Sequence, residues 1–131
     1  MDTSTNSKNT PVIYFKFTPL SGQDALDDIK NHTEQFNSKY GITDDFVKEL
    51  TNRLTNTPSV LRGFLNAPTD SNITRQVIGK GGCYFHLTTQ NCNIDFIWHD
   101  RNSNKFLFWG DKFPLIHAMK QIQYRINKHS N

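Results

Sequence analysis

A glycine-rich turn with a single lysine, Gly79-Lys80-Gly81-Gly82, is the segment of this sequence best suited to chemistry. Glycines let the backbone approach a ligand without a Cβ in the way, and a lysine adds a mobile positive charge. If a helix follows the turn, its first N–H groups also point at an anion. The combination predicts a clamp for a sugar-phosphate backbone. The alternative is a turn that only joins two helices.

The charges of the chain are unevenly distributed, although its net charge is only +3. Residues 1–60 carry six Lys and Arg against eight Asp and Glu, a balance of −2, whereas residues 61–131 carry nine against four, a balance of +5. The basic half contains the glycine-rich turn. This asymmetry suits a phosphate-bearing partner, although a solvated basic face is the simpler explanation on charge alone.

Catalytic and metal-binding patterns have little support in the sequence. The five histidines are scattered, and no Ser/His/Asp or metal-ligand spacing stands out, so we expect a protein that is not an enzyme and has neither metal nor cofactor. The turn also lacks the length and the Ser or Thr of a nucleotide-binding P-loop. Cys83 and Cys92 would lie roughly 13 Å apart along a helix, too far for a disulfide, so we expect two reduced thiols.

The location of the protein is also predicted from its apolar runs. No run approaches the roughly 18 residues that span a bilayer, and residues 1–10 lack the apolar core of a signal peptide. We therefore expect an intracellular protein, in the cytoplasm or the nucleus. We expect residues 1–10 to be a disordered tail.

Residues 11–57 predict a strand followed by two helices. Apolar residues alternate over residues 11–18, which indicates a strand. They then recur at helical spacing over residues 22–40 and again from residue 44 to the proline at position 58. This segment has no recognisable sequence pattern beyond these elements.

Residues 58–131 predict a different order of elements, with the glycine turn between two helices. Alternation and helical spacing place strands and helices in turn, and a run of polar turn-forming residues at 99–104 separates the last two strands. The predicted elements are a strand at 59–65, helices at 70–77 and 83–92, strands at 94–98 and 105–109, and a helix at 114–128.

Residues 59–128 resemble a type I KH domain, a module that binds RNA and single-stranded DNA through an Ile-Gly-x-x-Gly loop between two short helices. The hallmark here begins at Ile78. The downstream spacing also matches the family, at Phe85, Phe96, Trp98, Gly110, Ala118 and Ile122. The resemblance implies an α+β fold of order βααββα, with a three-stranded antiparallel sheet packed by three helices. Residues 11–57 are then a strand-helix-helix extension packed on a KH-like domain at 58–131.

The resemblance also implies that about four unpaired nucleotides lie in a groove, with the loop clamping their backbone and an apolar floor taking the bases. We expect Val77 and Ile78 to be partly exposed in this groove, and Phe85 to be in the core with one edge reachable. Ile97 is either a groove wall or part of a covered sheet face. The candidate phosphate contacts outside the loop are Arg75, His86 and Arg101. A lone histidine such as His86 is also common on a solvated surface.

Aromatic residues in the two strands after the glycine turn suggest a stacking platform for bases. They are Trp98, Phe106, Phe108 and Trp109. Alternation in a half-buried hairpin explains them more simply.

Two functions follow from these patterns. The first is non-catalytic binding of single-stranded nucleic acid, RNA in preference to DNA, through the loop and the adjoining apolar groove. The second is a protein-interaction or assembly module, virion assembly included, that uses the KH fold as a scaffold without binding nucleic acid. In both cases the extension at residues 11–57 could hold a protein partner or a second copy of the chain.

Overall fold

A computed structural model describes residues 15–33 and 44–130 of the chain. Within these ranges the fold is α+β, as the sequence predicts. The elements are β1 (Phe17–Leu20), α1 (Gly22–Thr33), α2 (Asp44–Thr55), β2 (Val60–Asn66), α3 (Ser71–Ile78), a 3-10 turn (Lys80–Gly82), α4 (Cys83–Cys92), β3 (Phe96–Asp100), β4 (Lys105–Gly110) and α5 (Lys112–His129). Among the helices of the described ranges, none combines the length and the apolar character needed to cross a membrane.

The strands form one antiparallel sheet in the order β1-β2-β4-β3. Gly63 of β2 pairs with Phe17 of β1 on one side and with Phe108 of β4 on the other, and Phe108 in turn pairs with Ile97 of β3. The edges of the sheet are therefore β1 and β3. Pro19 lies in β1, where an edge position tolerates a residue without an N–H. The sequence predicts three strands after residue 58, and β1 adds a fourth beside β2.

One face of the sheet packs against α3, α4 and α5. Phe106 and Phe108 of β4 point to this face and are fully buried, together with Leu115 and Met119 of α5. Burying aromatic and aliphatic side chains of this size contributes roughly 1.5–3 kcal/mol for each one. Because α3 and α4 pack in this core, the core also fixes the position of the glycine turn, which joins the C-terminal end of α3 to the N-terminal end of α4.

The opposite face packs against α1 and α2. Leu107 and Trp109 of β4 point to this face, where they form a cluster with Leu26 of α1 and Leu54 of α2. Because Trp109 is fully buried, as are Phe106 and Phe108 on the other side, these residues belong to the two cores. Alternation in a hairpin is therefore the correct explanation for Phe106, Phe108 and Trp109, which offer no stacking platform, whereas Trp98 is half-buried on the edge strand β3.

Polar contacts also tie the N-terminal helices to the sheet. The carboxylate of Asp28 in α1 accepts a hydrogen bond from Arg62 Nη1 at 2.7 Å and from Trp109 Nε1 at 3.1 Å. Arg53 of α2 donates from Nε to Asp95 Oδ1 at 2.8 Å, just before β3. The Asp28 carboxylate satisfies the indole N–H of the buried Trp109, which would otherwise be costly to bury.

Asp95 is expected to make the stability of the fold depend on pH. Burial raises the pKa of Asp95 above its ordinary 3.8, although the hydrogen bond and charge of Arg53 act in the lowering direction. An acid whose pKa is raised by folding contributes stability that is fully present below 3.8 and is lost as pH rises through the folded pKa. In urea unfolding from acid to neutral pH, the wild type should therefore lose stability relative to Asp95→Asn. Parallel curves for the two proteins would contradict this.

The strand and helix predicted before residue 44 are described only in part. The strand predicted over 11–18 overlaps β1 only at residues 17 and 18, because β1 begins at Phe17 and continues to Leu20; residues 15 and 16 are not in a strand, and residues 11–14 lie outside the described residues. The helix predicted over 22–40 is present as far as Thr33, and the remainder lies outside the described residues, as does the predicted tail at 1–10.

The turn predicted at 99–104 is shorter in the structure, because β3 continues through His99 and Asp100. His99 pairs with Phe106 in the ladder, and its ring also lies edge-on to the Phe106 ring at 5.3 Å. Its Nε2 is 3.0 Å from Asn104 Oδ1 across the turn. These contacts extend the hairpin by two residue pairs and leave residues 101–104 to reverse the chain.

Candidate functional site

The glycine loop, residues 79–82, joins α3 to α4 through backbone conformations that favour glycine. Gly79, Gly81 and Gly82 have φ angles of 84°, 62° and 80°, in the left-handed region that disfavours a Cβ. The N–H of Gly79 donates to the carbonyl of Arg75 at 2.8 Å and ends α3, and the N–H of Gly82 donates to the carbonyl of Gly79 at 3.0 Å. The loop is therefore a defined turn.

Lys80 and Gly81 form the exposed tip of the glycine loop. A Cβ built on Gly81 would have no atom within 4 Å, whereas one built on Gly79 would meet Tyr84 Cδ2 at 2.5 Å. Glycine at position 79 is thus required by the protein itself, while the space over Gly81 is open to a ligand. Gly82, the N-cap of α4, has no side chain to cap the helix, and the N–H of Cys83 donates to the carbonyl of Lys80.

A cavity of about 340 Å³, here named the groove, lies beside the glycine loop between α4 and the edge strand β3. Its back is apolar, since Phe85 is 7% exposed and Ile97 is 4% exposed. Ile97 is thus a covered sheet residue that also closes the groove. The predicted site residues that line the groove are Ile78, Gly82, Phe85, His86, Ile97 and Arg101.

Val77 does not line the groove, and its predicted exposure is wrong. Its side chain is fully buried in the core formed by α3, α4 and α5. Adjacent helical residues point about 100° apart, and on α3 it is Val77 that points into the core. Ile78 is the one that is half-buried and faces the groove.

A larger open depression of about 1400 Å³, here named the basic cleft, lies on the α3 and α5 side of the glycine loop. The loop residues Gly79, Lys80 and Gly81 line this cleft. Arg75 also lines it, although the sequence predicts Arg75 beside the groove. The reason is that Arg75 Nη2 turns back along α3 to donate to Asn72 Oδ1, which holds the guanidinium in the cleft.

The groove has a second wall that no sequence pattern predicts. Asn31 and His32 of α1 and Phe46 of α2 line it from the side of the N-terminal helices. The ring of Phe46 lies 5.6 Å from that of Phe96, and Trp98 stacks on Phe96 with 6.1 Å between ring centroids. These side chains place aromatic surface at the open edge of β3, where flat rings could stack.

A carboxylate marks one end of the groove. Asp100 accepts a hydrogen bond from Ser103 Oγ at 2.6 Å and another from the N–H of Asn102 at 3.3 Å. The Ser103 bond is the main cause of the lowered pKa of Asp100, so this group is ionised at neutral pH. A negative charge at this position disfavours a phosphate beside Asp100, whereas Arg101 supplies a positive charge to the same lining.

Cations at the end of α5 belong to the basic cleft, which the sequence also does not predict. The cations Arg125 and Lys128 line it opposite α3, and the imidazole of His129 lies beside them in the lining. Their spacing of three and four positions places them on one side of α5. This periodicity was available in the sequence, but which element faces this side of α5 depends on tertiary packing.

The cysteines and histidines form no metal-binding cluster in the described ranges. Both cysteines are free thiols, as their spacing predicts; Cys83 is exposed beside the glycine loop and Cys92 is buried. Burial raises the pKa of the Cys92 thiol. Within residues 15–33 and 44–130, no group of three or more His, Cys, Asp or Glu side chains is arranged to hold a metal ion.

The chain matches no family model, no curated protein and no solved structure. A functional assignment therefore depends on the geometry and the charges of the glycine loop, the groove and the basic cleft.

Proposed function

We propose that this protein binds single-stranded nucleic acid, RNA in preference to DNA, without catalysis. The observation that carries the proposal is the position of the glycine loop between an apolar groove and a cleft lined by cations: Gly82 lines both cavities, and the loop tip, Lys80-Gly81, lines the cleft. A sugar-phosphate backbone can approach over Gly81 while Lys80 neutralises a phosphate. The neighbouring bases then reach the apolar back of the groove.

We further propose that residues 59–128 form a type I KH domain. From β2 to α5 the order of elements is strand, helix, helix, strand, strand, helix, with the glycine loop between the two short helices. The three strands of this segment are antiparallel neighbours. Helices α3, α4 and α5 supply the core on one face of the sheet. These features support the arrangement that the sequence resemblance implies.

The distribution of charge supports a division between bases and backbone. The groove is closed by Phe85 and Ile97 and carries the ionised Asp100 at one end, so uncharged bases suit it better than phosphates. Lys80, Arg75, Arg125 and Lys128 line the cleft and not the groove, and Arg101 lines both cavities. A bound strand would therefore turn its bases toward β3 and its phosphates toward the loop, as unpaired RNA can but a duplex cannot.

The proposal predicts salt-sensitive binding to unpaired strands. Fluorescence anisotropy with labelled random pools should show binding of single-stranded RNA and DNA at low salt. Each phosphate contact should change the slope of log affinity against log salt by about −0.7, so two to four contacts give roughly −1.4 to −2.8. Duplex RNA of the same length is the control and should bind more weakly, because its bases cannot enter the groove. Equal affinity for both forms, or no binding at low salt, would contradict the proposal.

A further inference from the structure

The basic cleft has the chemistry of a second binding surface. Its lining includes the cationic residues Arg75, Lys80, Arg101, Arg125 and Lys128. No Asp or Glu of the described residues lines it, and none of those residues forms an ion pair with Lys80, Arg125 or Lys128. Lys80, Arg125 and Lys128 are thus not neutralised by carboxylates of the described residues.

The cleft and the groove are continuous at the glycine loop. Four residues line both cavities, namely Ile78, Gly82, His99 and Arg101. The loop and the end of β3 therefore form a shared rim. A strand that leaves the groove over this rim enters the cleft directly, without crossing another element.

Arg125 is held in place on the floor of the cleft. Its Nη2 donates to the carbonyl of Gln76 at 2.8 Å, and its guanidinium carbon lies 3.7 Å from the centroid of the Tyr84 ring. Its buried Nε has no hydrogen-bond partner among the described residues. A guanidinium fixed by stacking loses little entropy when it meets an anion, so this charge is organised before any ligand arrives.

The C-terminal end of α5 carries a partial negative charge that opposes an anion. That charge amounts to about half a unit and decays within the last turn. Arg125 and Lys128 each add a full positive charge at the same end. The local balance therefore favours a polyanion.

We propose that the basic cleft binds the sugar-phosphate backbone of nucleotides adjoining those in the groove, so that the protein takes a longer strand than the groove alone accommodates. This inference rests on the proposed function and adds a second segment to the same site. A single strand is the occupant that the shared rim favours, since its backbone must already lie on the glycine loop.

The test compares two strand lengths and two matched variants. Arg75→Ala/Lys128→Ala removes two exposed cations from opposite walls of the cleft, and neither residue lines the groove. Lys112→Ala/Lys120→Ala removes the same charge from exposed positions of α5 that line neither cavity. Anisotropy titrations should use single strands of about four and about ten nucleotides, since about four are expected in the groove.

The wild type should bind the longer strand more tightly than the shorter one. The cleft variant should lose about tenfold in affinity for the longer strand and about 1.4 in the magnitude of its salt slope, at about 0.7 for each lost contact. Its affinity for the shorter strand should fall much less than its affinity for the longer strand, and the matched variant should behave as the wild type with both.

Three results would overturn the inference. The first is equal loss by both variants, which indicates bulk charge, and the second is full retention of affinity for the longer strand by the cleft variant. The third is tighter binding of duplex or of a poly-glutamate peptide than of the longer strand, which indicates another occupant. If the wild type binds the short strand and one of these three results is found, the proposed function stands and only the inference about the cleft fails. If the wild type binds neither strand, the proposed function and the inference are both refuted.

Discussion

Replacement of Lys80 and Gly81 together by Asp is expected to abolish single-strand binding while the fold persists. The change takes the charge of the loop tip from +1 to −2. At about 5 Å and a dielectric constant of about 80, each unit charge interacts with a phosphate by about 0.8 kcal/mol. Three units then amount to about 2.5 kcal/mol, or roughly 70-fold in affinity, and a lower effective dielectric constant at the protein surface increases this loss.

The folded structure should accept both substitutions. Gly81 has a φ of 62°, but Asp is among the residues that adopt the left-handed conformation most readily. A Cβ at this position meets no atom within 4 Å, and Lys80 is exposed. Circular dichroism and thermal melting should therefore stay close to those of the wild type.

The matched control places the same two side chains on a remote surface. Lys112→Asp/Phe113→Asp changes exposed neighbours in the first turn of α5, where negative charge is favourable, and neither residue lines the groove or the basic cleft. The control loses the same net charge and should keep most of its affinity. If both double variants bind RNA and DNA pools as the wild type does, the glycine loop is not a backbone clamp.

Local patterns were sufficient to place most of the elements and the loop itself. The two helices around the glycine loop were predicted at 70–77 and 83–92 and are found at Ser71–Ile78 and Cys83–Cys92. Alternation in β4 assigned neighbouring side chains to opposite faces, because the pleat imposes a period of two. Three glycines within four positions predict the end of a helix, because each glycine is unfavourable in a helix interior.

Tertiary arrangement decided what the patterns could not. Val77 and Ile78 are both aliphatic and adjacent, and only the packing of α3 determines which of them faces the groove. Arg75 and Lys128 are distant in the chain, and they share the basic cleft because α3 packs on α5. The contact between Asp28 and Trp109 spans 81 positions, so no local pattern could show that α1 lies over the sheet.

The second large effect is a loss of stability from a substitution in the N-terminal helix α1. Replacing Gly by Ala in a helix usually stabilises a protein, and here we expect the opposite. Gly22→Ala is expected to destabilise the protein, although Ala is favoured over Gly by about 1 kcal/mol within a helix. A Cβ at position 22 would lie closer than 3.0 Å to the carbonyl oxygens of Leu54 and Thr57, at the end of α2. Both are backbone atoms, and Leu54 O already accepts the N–H of Thr57 at 3.0 Å.

Relief of that clash requires α1 and α2 to separate. The cluster beneath them contains Ala25, Leu26 and Leu54, each at most 1% exposed, so separation opens the core on this face of the sheet. Overpacking of this kind costs roughly 1–3 kcal/mol and occasionally more. We expect about 3 kcal/mol, which lowers the melting temperature of a chain of this size by roughly 10 °C.

Urea unfolding followed by tryptophan fluorescence measures this effect, because Trp109 is buried beneath α1 and α2. Gln23→Ala changes the exposed neighbour in the same helix and should alter stability by no more than about 0.5 kcal/mol. A single shifted transition for Gly22→Ala means that the N-terminal helices and the sheet unfold as one unit. A variant as stable as the wild type, or more stable, would show that α1 does not pack against the end of α2. In that case Asn31 and His32 would lose their place in the wall of the groove.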